Sequence, residues 1–566
     1  MMEKIEEKII RLLRGAGVAG EITLTRPPNS EMGDIAFACF DMAKAEKKNP
    51  ADVAKIIHDA LRKRRSSFVQ RVQFSGPYVN FFLSTSALAV LVIRDIEKKG
   101  TRYGASKIGK GKKIIIEYPS NNTHKEFHVG HLRNICIGNV LVELYKKTGH
   151  KIIPVNYLND FGAHVVRCLW GLQKFHGREN PPQNKQKWLG DIYAEASIYA
   201  KEHAEEVKPE LDALQGKLEG HDPSVWRLFM ETRQWSIEGV QALFRELGVV
   251  HRAEFYEKDV KARGQEIVDA LLKSGIANVG EGGAIIVDLS AYKLDIALLR
   301  KSTGAGLYLT SDLALAEKKF KKYSGAEESI HITGMEQNFY FQQLFQVLKL
   351  FGFHEKMTHI GYGLINTKTG KMSSRSGNVI LYEDLRNEIR HKVKKETTDR
   401  HADWPKERIN SVVDSLTHAI LKFTLQKHEA EKNIIFDIEE AVSFDGFTAP
   451  YLLYAIARIN SILRKSETRH QKSEYAGLTA PEEKKILFFL AAYPQIIQKA
   501  LRDYNPSTVA KYCFDLAQAF NEFYNAHRVL EAEETVKQAR LSLIEATRTV
   551  LTNALELLTI STVEEM

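Results

Sequence analysis

The sequence predicts a multidomain α/β protein: a small N-terminal α/β unit, a parallel-sheet unit interrupted by a helical insertion, and an all-helical C-terminal unit. Three observations predict it. From Lys113 a buried strand, a polar loop, a helix and a second buried strand follow within about 45 residues, the βαβ unit of a parallel sheet. Between about 165 and 245 the pattern turns helical and charged, with few strand signals. From about 384 onward apolar residues recur almost only at helical spacing, punctuated by Pro450, Pro494 and Pro506.

Each unit can be justified in order. Residues 1–95 open on an amphipathic helix with Ile5, Ile9, Leu12 and Leu13 on one side. Pro27-Pro28 and Gly33-Asp34 mark turns, a second helix follows Asn49-Pro50, and 72–84 reads as two strands about Gly76-Pro77. Residues 96–112 form a basic linker: from Lys98 to the adjoining Lys113 stand Lys99, Arg102, Lys107, Lys110 and Lys112, with no acid among them. Such a stretch suits a solvated connector or a contact with a phosphate backbone. The parallel-sheet unit spans 113–383, with its insertion at about 165–245. A helix is expected over about 132–148 and further strands at 283–289, 306–309, 329–332 and 359–364. Residues 384–566 are helical.

Composition bounds the function. A chain of 566 residues allows about four domains. Hydrophobic residues at 44% and charged residues at 27% exclude a disordered chain, a collagen or a disulfide miniprotein. Lys plus Arg (80) against Asp plus Glu (71) leaves +9, which permits a nucleic-acid partner without demanding one. No apolar run approaches the roughly 18–20 residues that span a bilayer, so no membrane association is expected. Glu3, Glu6 and Glu7 argue against a secretory or transit peptide. Cys39, Cys136, Cys168 and Cys513 are too far apart for a zinc knuckle or a redox pair. A cytoplasmic protein with reduced thiols and no structural metal is the expectation.

Two segments carry chemistry. In EYPSNNTHKEFHVGHLRN (117–134), His128 and His131 flank Val129-Gly130 where a strand passes into a helix. That junction lies at the carboxyl edge of a parallel sheet, where ligands bind, and the helix N-terminus offers free N–H groups to anions. Imidazoles can donate to phosphate oxygens, and the glycine lets a flat base approach the backbone. Two structural histidines at a helix cap would look the same. Downstream, INTKTGKMSSRSGNVI (365–380) combines Lys368, Lys371 and Arg375 with Ser373, Ser374 and two glycines. Such a loop can close on a triphosphate and stabilise the charge of departing pyrophosphate, or be a generic basic loop.

In this order HVGH and KMSSR resemble the two signatures of class I aminoacyl-tRNA synthetases, and the chain is further similar to the arginyl-tRNA synthetase family. NTHKEFHVGHLRN places Lys125 three residues before His128, and Ser374 stands where a second loop lysine is usual; in this family the upstream lysine is held to compensate. Residues 27–82, through PPNSEMGDIAFACFDMAKAEKKNP and FSGPYVNFFL, resemble the family's N-terminal domain, which contacts the tRNA elbow. FDGFTAPYLLYAIARINSILRK (444–465) and the tail from Phe520 resemble its helical anticodon-binding domain.

The resemblance implies a Rossmann-type class I synthetase catalytic domain with a helical insertion. It implies ATP with Mg²⁺ as a substrate complex, L-arginine and the arginine isoacceptors of tRNA as partners, and a monomer. Lys125, His128, His131 and Lys371 would be catalytic, with Gly130, Met372 and Ser373 joining the histidines and Lys371 at ATP. Glu117, Ser120, Asn122, Tyr308, Asp312 and Gln337 would bind arginine, a guanidinium needing carboxylates because an unpaired buried cation is costly. Read without the family, Asp312 equally fits a helix N-terminal acid. Tyr451, Tyr454 and Arg458 share a helical face and, with Tyr524, would contact the anticodon, although such a stripe also suits a core. Departures at Pro119, Asn121, Glu126 and Tyr340 bear on loop geometry and ATP contacts.

Overall fold

The computed structural model describes residues 1–64, 66–304, 306–367, 380–466, 475 and 477–566. The KMSSR residues Lys371, Met372 and Ser373, with Lys368, Ser374 and Arg375, lie outside the described residues.

Asn49 caps the helix Pro50–Arg62: its side-chain oxygen accepts from the Ala51 amide at 2.9 Å, and Pro50 occupies the first turn, where a missing N–H costs nothing. That helix and the opening one, Met2–Gly15, bury Ile5, Ile9, Val53 and Ile57 in one core with Val79, Phe81 and Leu83. The strands form a four-stranded antiparallel sheet, ordered Leu24–Thr25, Ile35–Ala38, Tyr78–Leu83, Val69–Ser75. Its last two strands are the hairpin expected about Gly76-Pro77.

The segment expected as a solvated linker is fastened down. The helix Thr85–Lys99 continues to its last lysine. Beyond it Tyr103 is fully buried and its hydroxyl donates to the Leu490 carbonyl at 2.9 Å. Asn553 donates to the Gly100 carbonyl at 3.1 Å and Lys147 to that of Thr101 at 2.5 Å. One aromatic among the lysines supplies the apolar surface that docks the stretch against the C-terminal helices.

Five parallel strands make the central sheet: β1 (Lys113–Glu117), β2 (Lys151–Leu158), β3 (Ala253–Tyr256), β4 (Ala326–Gly334) and β5 (Lys356–Tyr362), in the order β5-β4-β1-β2-β3. Alternation along β1 sends Ile114 and Ile116 into a different core from Ile115. Helix α1 (Val129–Lys147) shares the first core; α2 (Tyr308–Lys322) and α3 (Asn338–Leu350) share the second. The strand order reverses between β1 and β4, so a crevice opens at their carboxyl ends. Four helices, Ala163–Phe175, Lys185–Glu202, Ala204–Glu219 and Pro223–Leu247, separate β2 from β3 where the insertion is predicted.

The strand expected at 306–309 does not form. Helix α2 begins at Tyr308, and the Leu307 amide donates to Thr310 Oγ1 at 3.3 Å. What reads as an apolar alternation is a helix entry. The expected strand at 283–289 appears as Ile285–Asp288, within a three-stranded antiparallel sheet completed by Asn278–Val279 and Ile296–Arg300.

The C-terminal region holds the helices Tyr382–Arg400, Lys406–Gln426, α4 (Ala449–Lys465), Pro481–Arg502, α5 (Ser507–Ala526) and Glu534–Leu557. A short strand there, Ile434–Phe436, pairs in parallel with Ile365–Thr367 and ties the helical region to the parallel-sheet one. Among the described residues no helix is long and apolar enough to cross a membrane, and no group of three or more His, Cys, Asp or Glu stands together as a metal site. All four cysteines are free and buried.

Candidate active site

The crevice begins where β1 ends. Helix α1 starts at Val129 with His128 as its N-cap residue. The His128 amide donates to His131 Nδ1 at 3.2 Å, and the two imidazoles stack with centroids 3.7 Å apart. Because Nδ1 of His131 accepts, its remaining ring proton sits on Nε2, free to donate outward. Burial, with Lys125 nearby, pushes His128 down to about 4; burial, then His128 and Lys125, holds His131 well below the usual range. Both are therefore neutral donors at pH 7 rather than cations. Gly130 is required by the histidines themselves, since a Cβ there would lie 2.9 Å from the His128 ring. Lys125 lies over the Tyr193 ring of the insertion at 5.0 Å, and its carbonyl accepts from Gln186 at 2.7 Å.

Both flanks of the basic segment reach this place. Val129 donates its amide to the Ile380 carbonyl and Tyr382 donates to that of Phe127, each at 3.0 Å. On the other flank, fully buried Arg133 of α1 donates to the carbonyls of Gly363 (2.6 Å), Lys432 (2.8 Å) and Glu429 (3.1 Å). Arg133 thereby joins the HVGH helix to the ribbon on which the segment begins.

Acids gather on the α2 side. Glu117, at the end of β1, is 5% exposed and already engaged. Its Oε2 accepts from Lys319 Nζ at 2.6 Å, and its Oε1 lies 3.5 Å from Ser120 Oγ and 3.6 Å from His331 Nδ1. Burial pushes this carboxyl up, but Lys319 and His331 outweigh it and hold it far below the ordinary range. Asp312, on the first turns of α2, accepts from the Tyr340 hydroxyl of α3. Burial raises it to about 7 despite that bond, and Glu117 adds to the rise. Glu257, just after β3, is 8% exposed, its Oε2 has no hydrogen-bond partner, and burial followed by Asp312 and Asp160 lifts it to about 8. Tyr308 stands one turn before Asp312 and is exposed; Gln337 is half-buried in the turn after β4. Asn122 bridges to Asn159 beyond β2. The arginine-site residues expected from sequence thus lie on β1 (Glu117), the loop after it (Ser120, Asn122), the start of α2 (Tyr308, Asp312) and the turn after β4 (Gln337).

A second surface lies on the C-terminal helices. The Arg458 guanidinium of α4 sits between the rings of Tyr454 (4.7 Å) and Tyr524 (4.9 Å), both partly exposed, and donates to Asn521 at 2.9 Å. These three line a groove of about 840 Å³ with Trp404, Arg464 and Arg528. Tyr451 does not line it: its hydroxyl accepts from Asn521 at 2.8 Å and its ring packs on Phe514.

The family models match in the same order as these units. Arginyl tRNA synthetase N terminal domain matches residues 1–83, tRNA synthetases class I (R), catalytic domain, matches 93–438, and DALR anticodon binding domain matches 452–566. The arginine--tRNA ligase of Clostridium botulinum is 34% identical over 95% of each chain. That of Bdellovibrio bacteriovorus is 32% identical over 96% of this chain and 94% of its own. The chain belongs to the arginyl-tRNA synthetase family. In fold it matches Thermus thermophilus arginyl-tRNA synthetase with a TM-score of 0.80, at 24% identity and full coverage of both chains.

Against the arginyl-tRNA synthetase frame, four residues stand out that the sequence did not single out as site residues. Glu257 follows a four-residue strand among other charges, and only burial with an unpartnered oxygen separates it from a surface acid. Lys319 reads as one of several lysines at the end of α2. Tyr340 reads as a departure from the family pattern, yet it holds Asp312. Trp404, stacked on His401 at 3.8 Å with Arg408 at 3.9 Å over its ring, lies in a loop that carries no motif.

Proposed function

We infer that this chain joins L-arginine to ATP as arginyl-adenylate, releasing pyrophosphate, and then passes the arginyl group to the 3′ end of arginine tRNA, releasing AMP. The observation that carries the arginine reading is a pair of acids at the strand ends, half-buried Asp312 held by the Tyr340 hydroxyl and buried Glu257 with an unpartnered oxygen. Burial, followed by neighbouring acids, pushes both toward neutrality, and a planar guanidinium would favour their ionised forms through paired hydrogen bonds. Tyr308 would close over it from the mouth of α2, while Asn122, Ser120 and Gln337 would meet the α-amino and α-carboxylate groups.

ATP, as its Mg²⁺ complex, would lie on the N-terminus of α1. The arginine carboxylate attacks the α-phosphate and pyrophosphate leaves; no covalent intermediate with the protein is needed, so positioning and charge stabilisation supply the acceleration. Neutral His128 and His131 would donate N–H groups to phosphate oxygens beside the helix N-terminus, with Gly130 leaving room. Lys125 would bring positive charge from one side and Lys371, with Met372 and Ser373, from the segment anchored at Ile380. On the helical region Tyr454, Arg458 and Tyr524 would stack on anticodon bases, with Tyr451 bracing them through Asn521. One chain supplies both surfaces, which supports a 64.2 kDa monomer, and four free buried thiols fit the cytoplasm.

The test is amino-acid-dependent ATP–pyrophosphate exchange with and without total tRNA. Exchange with arginine but not lysine, glutamine or cysteine, appearing when tRNA is added, is the expected result. Exchange with another amino acid would overturn the assignment of Asp312 and Glu257.

A further inference from the structure

Lys319 is buried to 1% of its side chain, beneath a site whose substrate is itself a cation. Its ammonium donates to Glu117 Oε2 at 2.6 Å and to Ser329 Oγ at 3.4 Å, and lies 3.5 Å from His331 Nε2. Ser329 and His331 alternate on β4, and His331 stands directly opposite Glu117 in the sheet. Burial and the neighbouring ammonium hold His331 neutral, so its Nε2 accepts while Nδ1–H faces Glu117 Oε1. Glu117 is therefore held at both oxygens from below the crevice.

Three acids lie within electrostatic reach of one another here: the Glu117 charge raises Asp312, and the Asp312 charge raises Glu257. Like charges at short range in a buried site cannot all ionise without compensation. Lys319 follows Asp312 by seven residues on α2, two turns along the same face, so one helix carries both the acid that would meet the substrate and the cation that silences the acid's neighbour.

We propose that Lys319 is a positioning residue for arginine recognition: its ammonium cancels the Glu117 charge, so that Asp312 can ionise and take the guanidinium. Glu117 then acts as an oriented acceptor inside a neutral ion pair, not as a second counter-charge. The proposal rests on the reading of Asp312 and Glu257 as the guanidinium site.

Steady-state kinetics of three variants test it, with folding checked by circular dichroism. Lys319→Met should raise the KM for arginine by about tenfold or more, leaving the KM for ATP and for tRNA within about twofold. Lys319→Arg should restore most of the loss. Lys319→Met combined with Glu117→Gln, which removes both charges together but keeps one amide oxygen as an acceptor, should lower the arginine KM at least about threefold below that of K319M. A merely structural lysine would shift all three constants and would not be rescued by the second substitution. An unchanged arginine KM in folded K319M, or a double variant that folds and binds arginine as poorly as K319M, overturns the role of Lys319. If K319M does not fold, the double variant is judged against the parent enzyme, and an arginine KM raised about tenfold or more in it overturns the role of Lys319. Asp312→Asn separates the two failures. An unchanged arginine KM there overturns the guanidinium site itself; a raised one alongside an unchanged K319M overturns only Lys319.

Discussion

Asp312 and Glu257 are two carboxyls held partly protonated near neutrality because burial outweighs the partners they have. That costs stability in a defined direction. Each folded carboxyl binds its proton more tightly than the unfolded one does, so between about pH 4 and 8 the folded state holds more protons and stability falls as pH rises. Bound arginine reverses the balance by favouring the ionised pair. The gain in melting temperature from saturating arginine should therefore grow from about pH 6 to about pH 8.5, as a coupled titration of the two acids. A thermal-shift series reads it; a gain that shrinks with pH would show that arginine does not meet these acids. Removing one partner of a buried charge pair costs about 2–5 kcal/mol, so Asp312→Asn and Glu257→Gln should each raise the arginine KM by roughly 30-fold or more. Their KM for ATP should stay near that of the parent enzyme.

At the scale of elements, α4 and α5 divide their aromatics between two duties. Tyr454 and Tyr524 are open to the groove with Arg458 between them, whereas Tyr451 faces Phe514 and Asn521. Stacking on an unpaired base is worth about 1–3 kcal/mol, so Tyr454→Ala or Tyr524→Ala should raise the KM for tRNA by about fivefold to 100-fold. Exchange at saturating tRNA should be unaffected. Tyr451→Phe should instead lower stability by about 1 kcal/mol and leave the tRNA KM nearly unchanged. Aminoacylation titrations and melting curves distinguish the two; a large tRNA effect from Y451F would return Tyr451 to the binding surface. Helical spacing in the sequence put Tyr451, Tyr454 and Arg458 on one side of α4, but it could not say which neighbour α5 brings. The same limit applied to the catalytic region. The βαβ unit, the insertion and the HVGH helix were legible because period and turn residues are local. Glu257, Lys319 and Tyr340 were not, because their meaning comes from β3, α2 and α3 meeting at the sheet end. The strand misread at 306–309 failed for a local reason, the Leu307–Thr310 bond that starts a helix.

Over the whole molecule, charge is used in two ways that salt can separate. The excess of Lys plus Arg over Asp plus Glu is spread over the chain, with Arg464 and Arg528 lining the groove beside Tyr454 and Tyr524. Such cations displace counterions from a phosphate backbone, and binding to single-stranded RNA weakens with a log–log slope of roughly −0.7 per phosphate contacted. The proposed arginine site instead keeps Glu117, Lys319 and Glu257 away from solvent ions, with Asp312 half-buried beside them, so screening there is slight. Raising salt from about 50 to 200 mM should then increase the tRNA KM by tenfold or more if a few phosphates are held, while the arginine KM, measured at saturating tRNA, moves less than about twofold. The docked segment 96–112 and Arg133 add a structural reason for this separation. Both tie the catalytic region to the helical one through uncharged carbonyls, as in the bonds from Tyr103 to Leu490 and from Arg133 to Lys432, so the joint itself does not loosen as salt is raised. A parallel rise of the two KM values would mean that arginine is held by screened surface charge, and the buried acids would lose their assignment.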